Sequence, residues 1–192
     1  NSLYETEMDA GEAQNEFSNG VGIFLFAVRT NFEAGFRLRR GLIHFDLSSL
    51  PAGSEVLYAK LILYQSKAPP GAFPITISLH RVMEDWGEGA SKGIVAEGQG
   101  APAQPGDATW FHRFYDTATW TVPGGSFAAS ASASATVGAT LIDYSWNCTS
   151  PLVNDVQSWL DNESTNFGWI INGGEEGAGT ARRFNSSNNG QA

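Results

Sequence analysis

The side chains able to do chemistry in this chain are few and scattered. The three histidines, His44, His80 and His112, fall on separate predicted strands with no metal-ligand spacing among them. His44 and His80 sit opposite the apolar stripes of their strands, where ordinary surface or second-layer histidines belong. The single cysteine, Cys148, has no base beside it in sequence and cannot form an internal disulfide. Neither a Gly-x-Ser-x-Gly elbow nor a phosphate-binding glycine loop occurs. Acidic residues are too common for a pair meeting in space to mark a glycosidase by itself. The expectation is a protein that binds or builds rather than catalyses.

Two binding chemistries stand out. Glu84, Asp85, Glu88, Glu97 and Asp107 lie among glycines in the aperiodic stretch 84–109. Carboxylates and freely turning carbonyls suit Ca²⁺, which takes six to eight oxygens at about 2.3–2.6 Å. Glu88, Glu97 and Asp107 are the expected ligands of a structural calcium ion; the ordinary alternative is that they cap turns. Trp110, Trp120 and Trp146 are the expected faces of a glycan-stacking platform, against the commoner role of aromatics as core. An exposed coplanar pair would decide for stacking. Three Asn-x-Ser/Thr tripeptides, beginning at Asn147, Asn162 and Asn185, are formal glycosylation acceptors.

The elements that must position these residues read as strands. Ile43, Phe45 and Leu47 share one face of a run from Arg39 to Leu47, and Ala59, Leu61 and Leu63 share one face of the next. Between them Pro51 and Gly53 let the chain reverse, so the pair is a core hairpin or a sandwich corner. Residues 21–28, VGIFLFAV, are apolar on both faces, with Val21, Ile23 and Leu25 one way and Phe24, Phe26 and Val28 the other; such a strand is covered on both sides. Asn31 to Phe36 reads as a turn, and Ile75 to Met83 alternates with Ile75, Ile77 and Leu79 inward. FAASASASATV alternates Ala129, Ala131, Ala133 and Ala135 with hydroxyls, one methyl face and one polar face. One helix is expected near residues 151–160, with Ser150 as cap, Pro151 at the first position, and Val153, Val156 and Leu160 as its buried stripe beside Trp159. The stretch 84–109, roughly 26 residues, is too long to be an idle connection and is bracketed by Trp86 and Trp110.

Composition narrows the partners. The net charge of −9 argues against nucleic acid and against an anionic membrane surface. No apolar run has the length of a membrane span. An anionic polysaccharide stays open if Arg29, Arg37, Arg39 and Arg40 cluster. A chain of 192 residues with 22 glycines suits one loop-rich all-β domain. Residues 1–20 carry Glu5, Glu7, Asp9, Glu12 and Glu16 and read as a solvated acidic arm or an irregular first strand. The start at Asn1, without an initiator Met, is expected of a processed, exported chain.

RRGLIHFDLSSLPAGSEV followed by AKLILY, and later VQSWLDNESTNFGWIING followed by ARRFNSSNN, resemble the DNRLRE domain. The resemblance implies a secreted or cell-surface module folded as a single jelly-roll-like β-sandwich over residues 1–192. It also implies kinship with carbohydrate-binding modules, including ones that recognise alginate. Members of that family close with one more alternating strand, whereas residues 185–192 hold no apolar alternation. An open edge is therefore expected to accept a neighbouring copy, with Val21, Ile23, Leu25 and Ala129 to Ala135 at the contact. The leading expectation is a self-assembling extracellular subunit, and the alternative is a polysaccharide-binding module.

Overall fold

Period-two burial is realised in Ile75–Arg81, where Ile75, Ile77 and Leu79 turn inward as the alternation predicts. The computed structural model describes residues 1–5, 16–31, 37–94 and 96–190, and these form an all-β sandwich with one α-helix. The strands are β1 (Ser2–Tyr4), β2 (Phe17–Ser18), β3 (Phe24–Arg29), β4 (Leu38–Ile43), β5 (Leu61–Lys67), β6 (Ile75–Arg81), β7 (Ala101–Pro102), β8 (His112–Phe114), β9 (Ala118–Thr119), β10 (Ala133–Val137), β11 (Asp143–Trp146), β12 (Trp169–Gly173) and β13 (Arg182–Asn185). The helix α1 spans Ser150–Asp161. One nine-stranded antiparallel sheet runs β10-β6-β12-β4-β3-β13-β5-β11, with β1 added to β4. Its end strands, β10 and β11, come back together, so the sheet is nearly a closed barrel.

Two apolar layers hold this sheet. The inner one joins Leu25, Ile43, Leu61, Ile77, Trp146, Trp169, Ile171 and Phe184 with the helix residues Leu152 and Trp159. The outer one sits on the far face of β4 and β12, where Leu42 and Ile170 are paired, and is capped by Val82, Ala108, Trp110 and Trp120. Residues 84–128 thus roof the outer face. At roughly 1.5–3 kcal/mol for each large side chain buried, both layers contribute to folding.

Several sequence expectations change in the structure. The runs around Pro51 are a corner, not a hairpin. β4 pairs with β1, β3 and β12, while β5 pairs with β13 and β11. The strand ends at Ile43, so Phe45 does not continue the inward stripe and is 45% exposed. Gln157 of α1 pins the corner by accepting from Val56 N and donating to Ser54 O.

The doubly apolar run is covered inside its own domain. Val21 is exposed at a turn, Ile23 is half-buried, and Leu25 lies in the inner core. Val28 does not point outward with Phe26. Its φ of 78° breaks the alternation and turns it, together with Ala27, into the inner layer. In the Ala/Ser stretch only Ala133–Val137 is a strand, and Ala133 and Ala135 pack on the chain's own core. Ala129 and Ala131 precede it in irregular backbone, so the four alanines share no single methyl face.

Of residues 1–20, the described 1–5 and 16–20 follow the first-strand alternative, carrying β1 and β2 rather than a solvated arm. Leu3 is fully buried on β4, and β2 pairs with β7. The Asn1 amide ties this end to the roof: its oxygen accepts from Ser18 Oγ at 3.0 Å, and its nitrogen donates to Glu88 O at 3.0 Å. Glu7, Asp9 and Glu12, and the turn expected up to Phe36, lie outside the described residues. The helix cap is Thr149, whose hydroxyl accepts from Leu152 N, and the buried stripe is Leu152, Asp155 and Trp159. The helix therefore begins one residue earlier, and its inward face is rotated from the one expected.

Candidate functional site

The carboxylates of the roof do not gather. Glu97 is buried, and its carboxylate accepts from Asn19 Nδ2 at 2.9 Å, Phe24 N at 3.1 Å and Ile23 N at 3.2 Å. Asp107 is fully buried and accepts from Ala90 N and Gln104 N, each at 2.8 Å, and from Ser91 N at 3.3 Å. Glu88 is exposed. Among the described residues no group of three or more His, Cys, Asp or Glu side chains is placed to hold a metal ion. Backbone N–H groups take the lone pairs that a calcium ion would need, so hydrogen bonds stitch this segment together. Buried Glu16 accepts from Thr109 Oγ and lies 2.8 Å from His112 Nδ1.

The three tryptophans offer no stacking platform. Trp110, Trp120 and Trp146 are 8%, 4% and 0% exposed. Trp120 donates its indole N–H to Thr109 O and Trp146 to Ile77 O, the usual arrangement for a buried indole. Asn147 and Asn162 are exposed, whereas Asn185 is buried within β13 and closed to a glycosylating enzyme in the folded state. Nor do the arginines form one basic face. Arg39 is buried over the Tyr4 ring, where burial lowers its guanidinium to about 10. Arg40 is spent on a bidentate pair with Glu175, both contacts at 2.8 Å.

What the fold does build is a cleft. β13 runs antiparallel to both β3 and β5, so the end of β13 meets the starts of those strands. The end of β4 faces the start of β12 at the same pole, where Ile43 pairs with Trp169. Between them opens a cavity of about 880 Å³, within the range of small-molecule and oligomer sites. Its walls carry His44, Phe45 and Asp46 from the end of β4, Ile62 and Tyr64 from β5, and Asp85, Trp86 and Glu88 from the roof. Asp143, Asn166, Phe167 and residues 185–188 complete them.

Two features make the cleft chemically distinctive. Asn166 and Asn185 are 9% and 5% exposed, and the side-chain oxygen of each is buried without a hydrogen-bond partner. The Asn166 nitrogen is committed to Phe45 O at 2.9 Å, which orients the free oxygen. Unpaired buried acceptors are costly unless something donates to them. Beside them Phe45 and Tyr64 keep exposed ring area, and Trp86 is fixed by its indole N–H to Phe167 O at 2.8 Å. Such a cleft suits a ligand that combines hydroxyl donors with apolar C–H faces.

Sequence reasoning missed this site because Phe45 was assigned to the core stripe. The signal was present in the short polar clusters just past strand ends. Asp46 accepts from Ser48 N at 2.8 Å in a local turn, and NSSNN follows β13. No protein-family model matches the chain, and no curated protein matches it either.

Proposed function

We propose that this chain is an exported, non-catalytic carbohydrate-binding module of DNRLRE type that seats a polysaccharide in the cleft at the pole of its sandwich. One observation carries the reading: Asn166 and Asn185, nine-tenths buried and each with a side-chain oxygen lacking a donor, line a cavity flanked by the exposed rings of Phe45 and Tyr64. The stretches that carry the family resemblance, around His44–Asp46, Asn166–Phe167 and Asn185–Asn188, also converge there. Hydrogen bonds from Ser48 hold the Asp46 carboxyl below the ordinary carboxylate range, which does not suit Asp46 to the proton-donor role of a glycosidase.

Affinity gels containing soluble polysaccharides test this directly. Retention by at least one polymer is expected, with the polymer recovered uncut. Phe45→Ala and Tyr64→Ala should each weaken retention while leaving the melting temperature within a few degrees, since both rings are partly exposed. Free migration through every gel would overturn the reading.

A second reading, self-assembly of copies, is favoured by the apolar surface around β5 and the edge strand β11. Leu57, Tyr58, Ile62, Leu141 and Ile142 are 79%, 63%, 47%, 48% and 47% exposed there. Light scattering across a concentration series separates the two: a fixed monomer mass removes assembly, and mass growth abolished by Leu57→Ser with Ile142→Ser establishes it.

A further inference from the structure

We infer that the cleft selects neutral, hydroxyl-rich glycans and turns away uronates, an inference that rests on the carbohydrate-binding reading above. Its polar lining is weighted toward acceptors, with His44, Tyr64, Ser187 and Asn188 able to donate as well. Asn166 has one N–H held by Phe45 O and an oxygen without a donor. The Asn185 oxygen is likewise free and buried. Ser186 turns its hydroxyl proton away to Gly22 O at 2.7 Å. Around these stand the carboxylates of Asp46, Asp85, Glu88 and Asp143, and among the described residues that line the cleft there is no lysine or arginine.

A neutral sugar hydroxyl can donate to every one of these groups. A uronate carboxylate brings no proton to donate and meets four like charges instead. The side chains that could have answered it are used elsewhere: Arg39 is buried on Tyr4 and Arg40 is paired with Glu175. The four carboxylates therefore supply the repulsive element of the discrimination, and donation to the lining acceptors the attractive one. A site built to accept from a substrate hydroxyl penalises ligands that leave it unmatched.

The experiment is affinity electrophoresis and calorimetry of the full chain against three probes: a soluble β-1,3-glucan, a galactomannan and alginate. Binding to at least one neutral polymer is expected, with alginate at least about tenfold weaker at low salt, the gap narrowing as salt screens the carboxylates. Asn185→Leu should weaken the neutral polymer by about tenfold or more. Asp46→Asn combined with Asp143→Asn, both on exposed side chains, should raise alginate binding relative to the neutral polymer. Alginate bound as well as or better than the neutral polymers overturns this inference and leaves the binding reading standing. So does a double variant whose alginate affinity does not change. Failure to bind all three, with a fold intact by circular dichroism, counts against both.

Discussion

The carboxylate of Asp155 on α1 accepts the indole N–H of Trp169 on β12 at 2.9 Å, joining the helix to the centre of the sheet. The same oxygen accepts from Ser132 Oγ at 2.5 Å, and Arg81 lies 3.7 Å from the other. This buried acid is therefore the bolt by which the helix closes the inner core. Asp155→Ala leaves the Trp169 and Ser132 donors stranded, and the expected loss is roughly 2–4 kcal/mol. Urea unfolding measures it; a loss under about 0.5 kcal/mol would make the contact incidental.

Tyr4 carries a pH signature. Burial pushes its phenol well above the ordinary 10.0, with the Arg39 guanidinium opposing and Glu97 adding to the rise. A proton held more tightly when folded stabilises fully below pH 10.0, and that stability is lost as pH rises further. Arg39, lowered to about 10, works in the opposite sense above that pH. Phenolate absorbance, rather than the melting curve, isolates the tyrosine. One of the five tyrosines should stay silent until alkaline unfolding exposes it.

Val28 makes a backbone prediction. A β-branched residue at a φ of 78° is strained. In an ordinary strand, glycine is worse than alanine by roughly 0.5–1 kcal/mol. Here Val28→Gly should be no less stable than Val28→Ala, because glycine accepts the left-handed conformation freely. Thermal unfolding of the two variants decides; the ordinary order would place the strain elsewhere.

Glu97 holds the roof through hydrogen bonds. Its carboxylate accepts from two backbone amides and from Asn19, so Glu97→Gln turns an N–H against donors. A loss of roughly 1.5–3 kcal/mol is expected. A chelator should leave the wild-type melting temperature unchanged, and a drop of several degrees would restore a cation to this segment.

Much of the fold was legible because its signals are local. Ile75, Ile77 and Leu79 alternate and are buried together, and Pro151 marks the helix start within a residue. What escaped was decided by long-range contacts. The inward turn of Val28 comes from one unusual dihedral angle, which alternation cannot encode. The burial of Leu3 depends on a strand that begins 35 residues later, since Leu38 opens β4. Glu97 and Asp107 carry the composition of a cation site, yet the amides that satisfy them come from distant turns. The cleft was hidden for a related reason: Phe45 fits the inward stripe by parity, and only the end of β4 at Ile43 frees it.

The roof over β4 and β12 has a consequence for how the molecule breathes. Those strands lie between two apolar layers, with Leu42 and Ile170 under one and Ile43 and Ile171 under the other. Their amides can meet solvent only when both layers part, which is close to complete unfolding. In deuterated water the label should enter residues 42–43 and 170–171 last. It should enter the rim residues 187–188, exposed at the mouth of the cleft, at once. The clock that runs slowest is in the middle of the sheet, and the part that meets a ligand keeps faster time.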